Sequence, residues 1–293
     1  FTGPQGFGIA NMADSLYAIR KLVFEEKQFT LGELKEALIW NYGKGLDQQS
    51  VQDLAQGILK EAENAGRQVD EKMTEAVVQS VLSMKLSKEK ISRYEEIRNK
   101  ILEVPKFGND IKEVDNFARD VAYTYTKPLE KYKNPRGGQY QAGLYPVSAN
   151  VPLGAQTGAT PDGRLAYRPI ADGVSPTAGK DVKGPTAAAN SVSKLDHSIA
   201  SNGTLFNQKF HPSALSGRAG LENFVAYIRG FFDQKGSHIQ FNVVSRETLL
   251  DAQKNPEQYK TLVVRVAGYS ALFTSLSRSL QDDIINRTEQ VGF

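Results

Sequence analysis

Residues 264–271 read Val264-Arg265-Val266-Ala267-Gly268-Tyr269-Ser270-Ala271. The mostly β-branched run from Leu262 to Val266 predicts a strand that stops at Gly268, and Leu272 to Gln281 predicts a helix after it. A lone glycine at the tip of such a turn admits two readings. It can supply positive φ without steric cost. It can also carry an unpaired electron on Cα, since only a residue without a side chain becomes a planar, backbone-conjugated radical free of clash.

Working outward, Leu221 to Phe232 predicts a helix and His238 to Val244 a buried strand. Ser245 to Gln253 predicts a further helix, and Asn255-Pro256-Glu257 starts a short one with cap and proline in preferred places. Strand, helix and strand in this order imply parallel pairing through a right-handed crossover. The first third is helical in pattern. Asn11 is placed to cap a helix with Leu16, Ile19, Leu22 and Val23 on its apolar face. Thr30 and Glu33 form a capping-box pair, and two or three amphipathic helices are expected across 50–103. From Pro135 to about Gly220 the chain is rich in glycine, proline, alanine and serine, yet Tyr140, Leu144, Tyr145, Val147, Val151 and Leu153 punctuate it, which predicts ordered loops on a scaffold. The division expected is 1–134, mainly helical with 44–103 as a helical insertion, and 135–293, mixed α/β, with the glycine loop at 262–276 and a C-terminal helix.

Composition narrows the function. The 36 basic and 33 acidic residues are interspersed, so neither nucleic acid nor another polyelectrolyte is indicated as a partner. No apolar run approaches the roughly 18 residues of a membrane span, and a cytoplasmic location is the default. With no cysteine, this chain has no disulfide, thiolate nucleophile or cysteine-bound metal. His197, His211 and His238 lack metal-ligand spacing, and no metal is expected. The start at Phe1-Thr2-Gly3-Pro4-Gln5-Gly6, inside a glycine-rich loop and without methionine, reads as a piece of something longer or a processed subunit.

The glycine stretch, with Arg265, Tyr269, Ser270, Gln281 and Arg287-Thr288 at this spacing, resembles the C-terminal signature of the glycyl radical enzymes. Further segments are similar to that family in its order. They are Gly6-Phe7-Gly8-Ile9-Ala10-Asn11, Pro105-Lys106-Phe107-Gly108-Asn109-Asp110, Ala159-Thr160-Pro161-Asp162-Gly163-Arg164, Gly184-Pro185-Thr186-Ala187, Asn207-Gln208-Lys209-Phe210 and Gln240-Phe241-Asn242-Val243-Val244. They cover 1–43 and 104–293. The ending Ile284-Ile285-Asn286-Arg287-Thr288-Glu289-Gln290 resembles the branch of dehydratases, carbon–heteroatom lyases, arylacetate decarboxylases and fumarate-adding enzymes more than pyruvate formate-lyase.

The resemblance implies an α/β fold, the C-terminal part of a ten-stranded barrel with flanking helices, in which a glycine loop meets a cysteine loop. It implies that Gly268 stores the radical, installed by a separate SAM/iron–sulfur activase, with no bound cofactor. The radical passes to a cysteine and then to a small-molecule substrate, and burial protects it from oxygen. The cysteine would lie in a portion absent from this chain, and the whole enzyme is expected to be a homo-oligomer. The function implied is the glycine-bearing portion of a lyase breaking a C–O, C–N or C–S bond, as in diol dehydration. Arylacetate decarboxylation, fumarate addition, and a non-catalytic radical carrier or repair subunit are the alternatives.

Arg265, Tyr269, Ser270 and Gln281 are expected to support the glycine loop. Tyr145, Pro185, Thr186 and Ala187 resemble pocket positions, with a packing tyrosine beside a proline turn as the structural alternative for Tyr145. His211 reads as a structural hydrogen-bonding residue rather than a proton relay, and His238 as a buried, satisfied histidine. Gly154 to Gly158 lacks the strand, helix and lysine of a phosphate loop.

Overall fold

The computed structural model describes residues 1–46 and 48–293. In chain order the helices are α1 (Ile9–Ala18), α2 (Leu31–Ile39), α3 (Gln48–Asn64), α4 (Glu71–Leu82), α5 (Lys88–Glu103) and α6 (Lys112–Leu129). They continue with α7 (Asn150–Gly154), α8 (Pro185–Ser193), α9 (Gly217–Asp233), α10 (Arg246–Lys254) and α11 (Arg278–Asn286). The strands are β1 (Gly143–Leu144), β2 (Gly203–Thr204), β3 (Asn207–Phe210), β4 (Gln240–Val243), β5 (Val263–Arg265), β6 (Ser270–Leu272) and β7 (Glu289–Gln290). None of the described helices is long and apolar enough to cross a membrane. The chain forms two compact units, residues 18–104 with 154–168, and residues 1–17 with 105–153 and 169–293.

The first unit is helical. Thr30 Oγ1 accepts from the Glu33 amide at 3.1 Å and the Glu33 carboxylate accepts from the Thr30 amide at 2.8 Å, the reciprocal cap expected for α2. Leu22, Phe29, Leu34, Ala37, Tyr42, Tyr94, Ile97 and Ile101 make its core. The Tyr42 hydroxyl, buried among them, donates to Thr160 O at 2.8 Å and is not left orphaned. The helices expected in 50–103 number three, α3 to α5, with Asp70 and Ser87 capping α4 and α5.

The second unit holds the sheets. β3 is flanked by β4 and β7, all parallel, in the register Asn207–Gln240 to Phe210–Val243 and Lys209–Glu289 to Phe210–Gln290. β1 and β2 form a short parallel pair. Among the described residues no sheet closes into a barrel. Phe210, Phe224, Tyr227, Phe241 and Phe293 pack edge to face and stacked around α9. At Gly173 (φ +49°) the glycine-rich stretch packs closely: a Cβ there would meet the carbonyl oxygens of Leu205 at 2.4 Å and Leu144 at 3.0 Å.

Several local expectations are corrected. Asn11 does not cap α1, which starts at Ile9 after Gly8 (φ +78°); its side chain instead accepts from the Ala171 amide at 2.7 Å. Leu16 is 39% exposed rather than on the buried face. The expected helix 272–281 is replaced by β6, a short 3₁₀ turn at Phe273–Ser275, and α11, which begins only after the Ser277 cap. The parallel crossover joins β3 to β4 through α9, whereas β5 pairs antiparallel with β6 and forms no ladder with β4. Finally, β4 is not buried throughout, since Val243 is 49% exposed.

Candidate functional site around Gly268

β5 and β6 form a hairpin in the register Val263–Leu272, Val264–Ala271 and Arg265–Ser270. Val266 to Tyr269 connect them, with the Val266 amide donating to Tyr269 O at 2.9 Å. Gly268 sits in this connection at φ +86°. A Cβ there would meet only Leu205 Cδ1 within 4 Å, at 3.7 Å, an ordinary contact. The backbone angle, not crowding, therefore asks for glycine. Val264, Val266 and Ala267 are buried while Gly268, Tyr269 and Ser270 are exposed, so the tip has an apolar back and a front open to solvent. Within this chain, then, burial does not cover Gly268.

Arg265 wraps the tip. Its Nη1 donates to Ser270 Oγ at 3.2 Å, Nη2 to Gly268 O at 3.5 Å and Nε to Gln240 Oε1 at 3.2 Å. Gln281, buried on α11, donates to Phe273 O at 3.0 Å and Leu276 O at 3.2 Å, so it ties the turn after β6, within the 262–276 loop. Tyr269 lies 36% exposed on the tip.

Two residues that hold the hairpin escaped sequence reasoning. The Arg265 amide and carbonyl point away from β6 toward β4, where Asn242 meets both: Oδ1 accepts from Arg265 N at 2.8 Å and Nδ2 donates to Arg265 O at 2.8 Å. A carboxamide side chain thus replaces the missing ladder. One turn of the pleat earlier, Gln240 Oε1 accepts from the Gly268 amide at 3.1 Å. Gln240 and Asn242 lie on one face of β4, at period two, and both are buried. Two buried carboxamides alternating with Phe241 and Val243 are the signal that could have found them.

Behind them runs a polar network. Gln240 Nε2 donates to Asn207 Oδ1, and Asn207 Nδ2 donates to Asp172. Arg287 Nη2 lies 3.3 Å from Asp172 and 3.1 Å from Asp283, all three side chains at or below 10% exposure. Arg287 Nη1 returns to the hairpin at Arg265 O, 3.4 Å away. Burial pushes the Asp283 carboxyl up, against the pull of Arg287. Thr288 donates to Asp181, as does Gln290 at 3.1 Å, while burial raises Asp181 to about 6. Lys209, buried in β3, donates to Ile285 O at 2.8 Å, and burial lowers it to about 8.

The pocket candidates come from two stretches of the chain. Tyr145 follows β1, half-buried, and its hydroxyl accepts from Asn202 Nδ2 at 2.8 Å. Pro185, Thr186 and Ala187 open α8; Thr186 and Phe293 line a cleft of about 350 Å³ between α8 and α9. His211 Nδ1 accepts from the Ser213 amide at 3.2 Å, a structural cap. His211 also groups with Glu247 and Glu289, their ligand atoms within 4.8 Å, which sequence spacing hides because the three come from separate elements. His238, expected to be buried and satisfied, is half-buried, with Nδ1 lacking a partner among the described residues.

Comparison with known proteins places this geometry. A pyruvate formate lyase-like model matches residues 1–154, through the unassigned stretch 44–103, and a glycine radical model matches residues 170–274, which include the hairpin tip. A solved structure described as 1,2-propanediol dehydration in Roseburia inulinivorans is 66% identical, with a TM-score of 0.94, covering 99% of this chain and 35% of that one. The glycerol-bound B12-independent glycerol dehydratase of Clostridium butyricum is 51% identical at a TM-score of 0.79, covering 99% of this chain and 30% of that one. The trans-4-hydroxy-L-proline dehydratase of Clostridioides difficile is 37% identical over 287 residues, 98% of this chain and 30% of its own length. The chain thus spans about 30% of the length of the curated relatives it matches. It belongs to the glycyl radical enzyme family, in the branch of dehydratases and lyases.

Proposed function

We propose that Gly268 stores the unpaired electron of a glycyl radical lyase, and that this chain supplies the glycine-bearing portion of an enzyme that dehydrates a vicinal diol of the 1,2-propanediol or glycerol class. The observation that carries the reading is Gly268 itself, at φ +86° on a hairpin tip inside the span matched by the glycine radical model. The dehydratases to which the chain is similar supply the substrate class. The open front of the tip supports a covering segment that excludes oxygen. This chain has no cysteine, so that segment also brings the thiol.

In this scheme a separate SAM/iron–sulfur activase removes one hydrogen atom from Gly268 Cα. The cysteine thiol returns a hydrogen atom to Gly268, and the thiyl takes one from the hydroxyl-bearing substrate carbon. Water then leaves from the neighbouring carbon, the hydrogen atom is given back, and an aldehyde is released. Arg265, Tyr269, Ser270 and Gln281 shape the glycine loop, and Tyr145, Pro185, Thr186 and Ala187 belong to the substrate-facing side. Anaerobic operation, a cytoplasmic setting and a homo-oligomeric whole enzyme belong to the same proposal.

The test is anaerobic activation of the full protein followed by electron paramagnetic resonance. A glycyl doublet should appear, vanish in Gly268→Ala, and on exposure to air give way to cleavage at residue 268. A doublet that survives in Gly268→Ala refutes the radical assignment. Turnover of an arylacetate with release of carbon dioxide, and none of a 1,2-diol, refutes the substrate class.

A further inference from the structure

The carboxamide of Gln240 is fully engaged. Oε1 accepts from the Gly268 amide at 3.1 Å and from Arg265 Nε at 3.2 Å, while Nε2 donates to Asn207 Oδ1 and reaches Val266 O at 3.4 Å. Two donors face the oxygen and two acceptors face the nitrogen, so the orientation is fixed; a flipped amide would set N–H against N–H. On the other flank of the glycine, Arg265 Nη2 stands 3.5 Å from Gly268 O.

This geometry bears on an electron held at Gly268 Cα. Such a radical is stabilised when its half-filled p orbital overlaps the amide nitrogen on one side and the carbonyl on the other. A hydrogen bond donated by the Gly268 amide makes its nitrogen the better electron donor. A guanidinium beside the Gly268 carbonyl makes that group the better acceptor. Both bonds also hold the two peptide planes that must stay coplanar with the radical centre. We propose that Gln240, with Arg265 opposite it, is a positioning residue for the radical, polarising the two peptide groups around Gly268 in opposite senses. The role rests on Gly268 as the radical residue.

Gln240→Leu removes the acceptor with little change of bulk, and Gln240→Glu keeps it while losing the donation to Asn207 and Val266. In the full protein before activation, exchange of the Gly268 amide should quicken about fivefold to tenfold in Gln240→Leu, the scale of one net hydrogen bond, and stay near wild type in Gln240→Glu. After anaerobic activation, Gln240→Leu should show a broadened glycyl doublet and a radical half-life under argon shortened by about the same factor. Gln240→Glu, whose second oxygen faces Asn207 Oδ1 and Val266 O, should fold less stably yet keep the radical half-life at or above that of wild type, and it is the arbiter where Gln240→Leu does not fold. Wild-type exchange, splitting and lifetime in Gln240→Leu overturn the proposal, as does a shortened radical half-life in Gln240→Glu with wild-type Gly268 exchange. No doublet in the wild-type protein overturns the radical assignment itself, and with it the role given to Gln240.

Discussion

Replacing Asn242 tests how the hairpin is attached. Its side chain makes two hydrogen bonds, both at 2.8 Å, to the amide and carbonyl of Arg265, the outward-facing pair of β5. Leucine at this position leaves both groups without that partner. A buried polar group left unpaired costs about 1–3 kcal/mol. The carbonyl keeps the longer contact to Arg287 Nη1 at 3.4 Å, and Arg265 is half-buried, so the lower part of the range applies. Asn242→Leu should therefore destabilise by about 2–4 kcal/mol, which for a domain of this size lowers Tm by roughly 5–15 °C. Asn242→Asp keeps the acceptor for the amide but sets a charged oxygen against the carbonyl, and should lose at least half as much. Denaturant melts of the full protein give the total, and segment-resolved hydrogen exchange should concentrate the loss in 262–272. A change below about 0.5 kcal/mol for Asn242→Leu, or wild-type behaviour of Asn242→Asp, refutes side-chain attachment as the bond between hairpin and sheet.

Asp181, raised by burial from 3.8 to about 6, binds its proton more tightly folded than unfolded. Its contribution is therefore fully present below about pH 4 and lost as pH rises through 6, a fall of about 2–3 kcal/mol that Asp181→Asn should remove from the stability–pH curve. Arg287→Met leaves Asp172 and Asp283 buried without their cation and should cost about 3–5 kcal/mol at pH 7, less in acid as Asp283 takes up a proton; chemical melts at pH 5 and 7 check both parts. Gly268→Ala should fold, losing only the about 1–2 kcal/mol of a left-handed alanine, as seen in melts and circular dichroism. Gly173→Ala, whose Cβ would lie 2.4 Å from Leu205 O, should lose more than about 4 kcal/mol or fail to accumulate.

What the chain disclosed before its structure follows from the range of the forces involved. The Thr30–Glu33 cap and helices α3 to α5 depend on neighbours three or four residues away, and local pattern suffices for them. Asn11 was misplaced because its partner, the Ala171 amide, is far off in sequence; a cap signal and a long-range hydrogen bond use the same residue type. The stretch 272–281 reads as helix because Leu272, Phe273 and Leu276 have helical spacing, yet cross-strand pairing with β5 claims its first residues and Ser277 sets the true start of α11. Gly268 and Arg265 were legible through family resemblance. Gln240 and Asn242 lie in a segment that also resembles the family, but their role is not legible there, because a strand pattern records which face a residue lies on but not that the facing strand lacks a ladder to join.

The position of β3 has a kinetic consequence. Its second neighbour, β7, is made of residues 289–290, far downstream in sequence. At synthesis rates of about 5–20 residues per second, the roughly 80 residues between them leave one edge of the central strand bare for about 4–16 s on the ribosome. A bare edge invites pairing with another nascent chain. Lys209 lies in that strand, and before α11 arrives its ammonium is a charge that a foreign strand would have to bury. Once Ile285 O accepts from it at 2.8 Å, the same charge caps the carbonyl end of α11. One side chain thus charges a bare strand edge before β7 forms and tethers α11 afterwards.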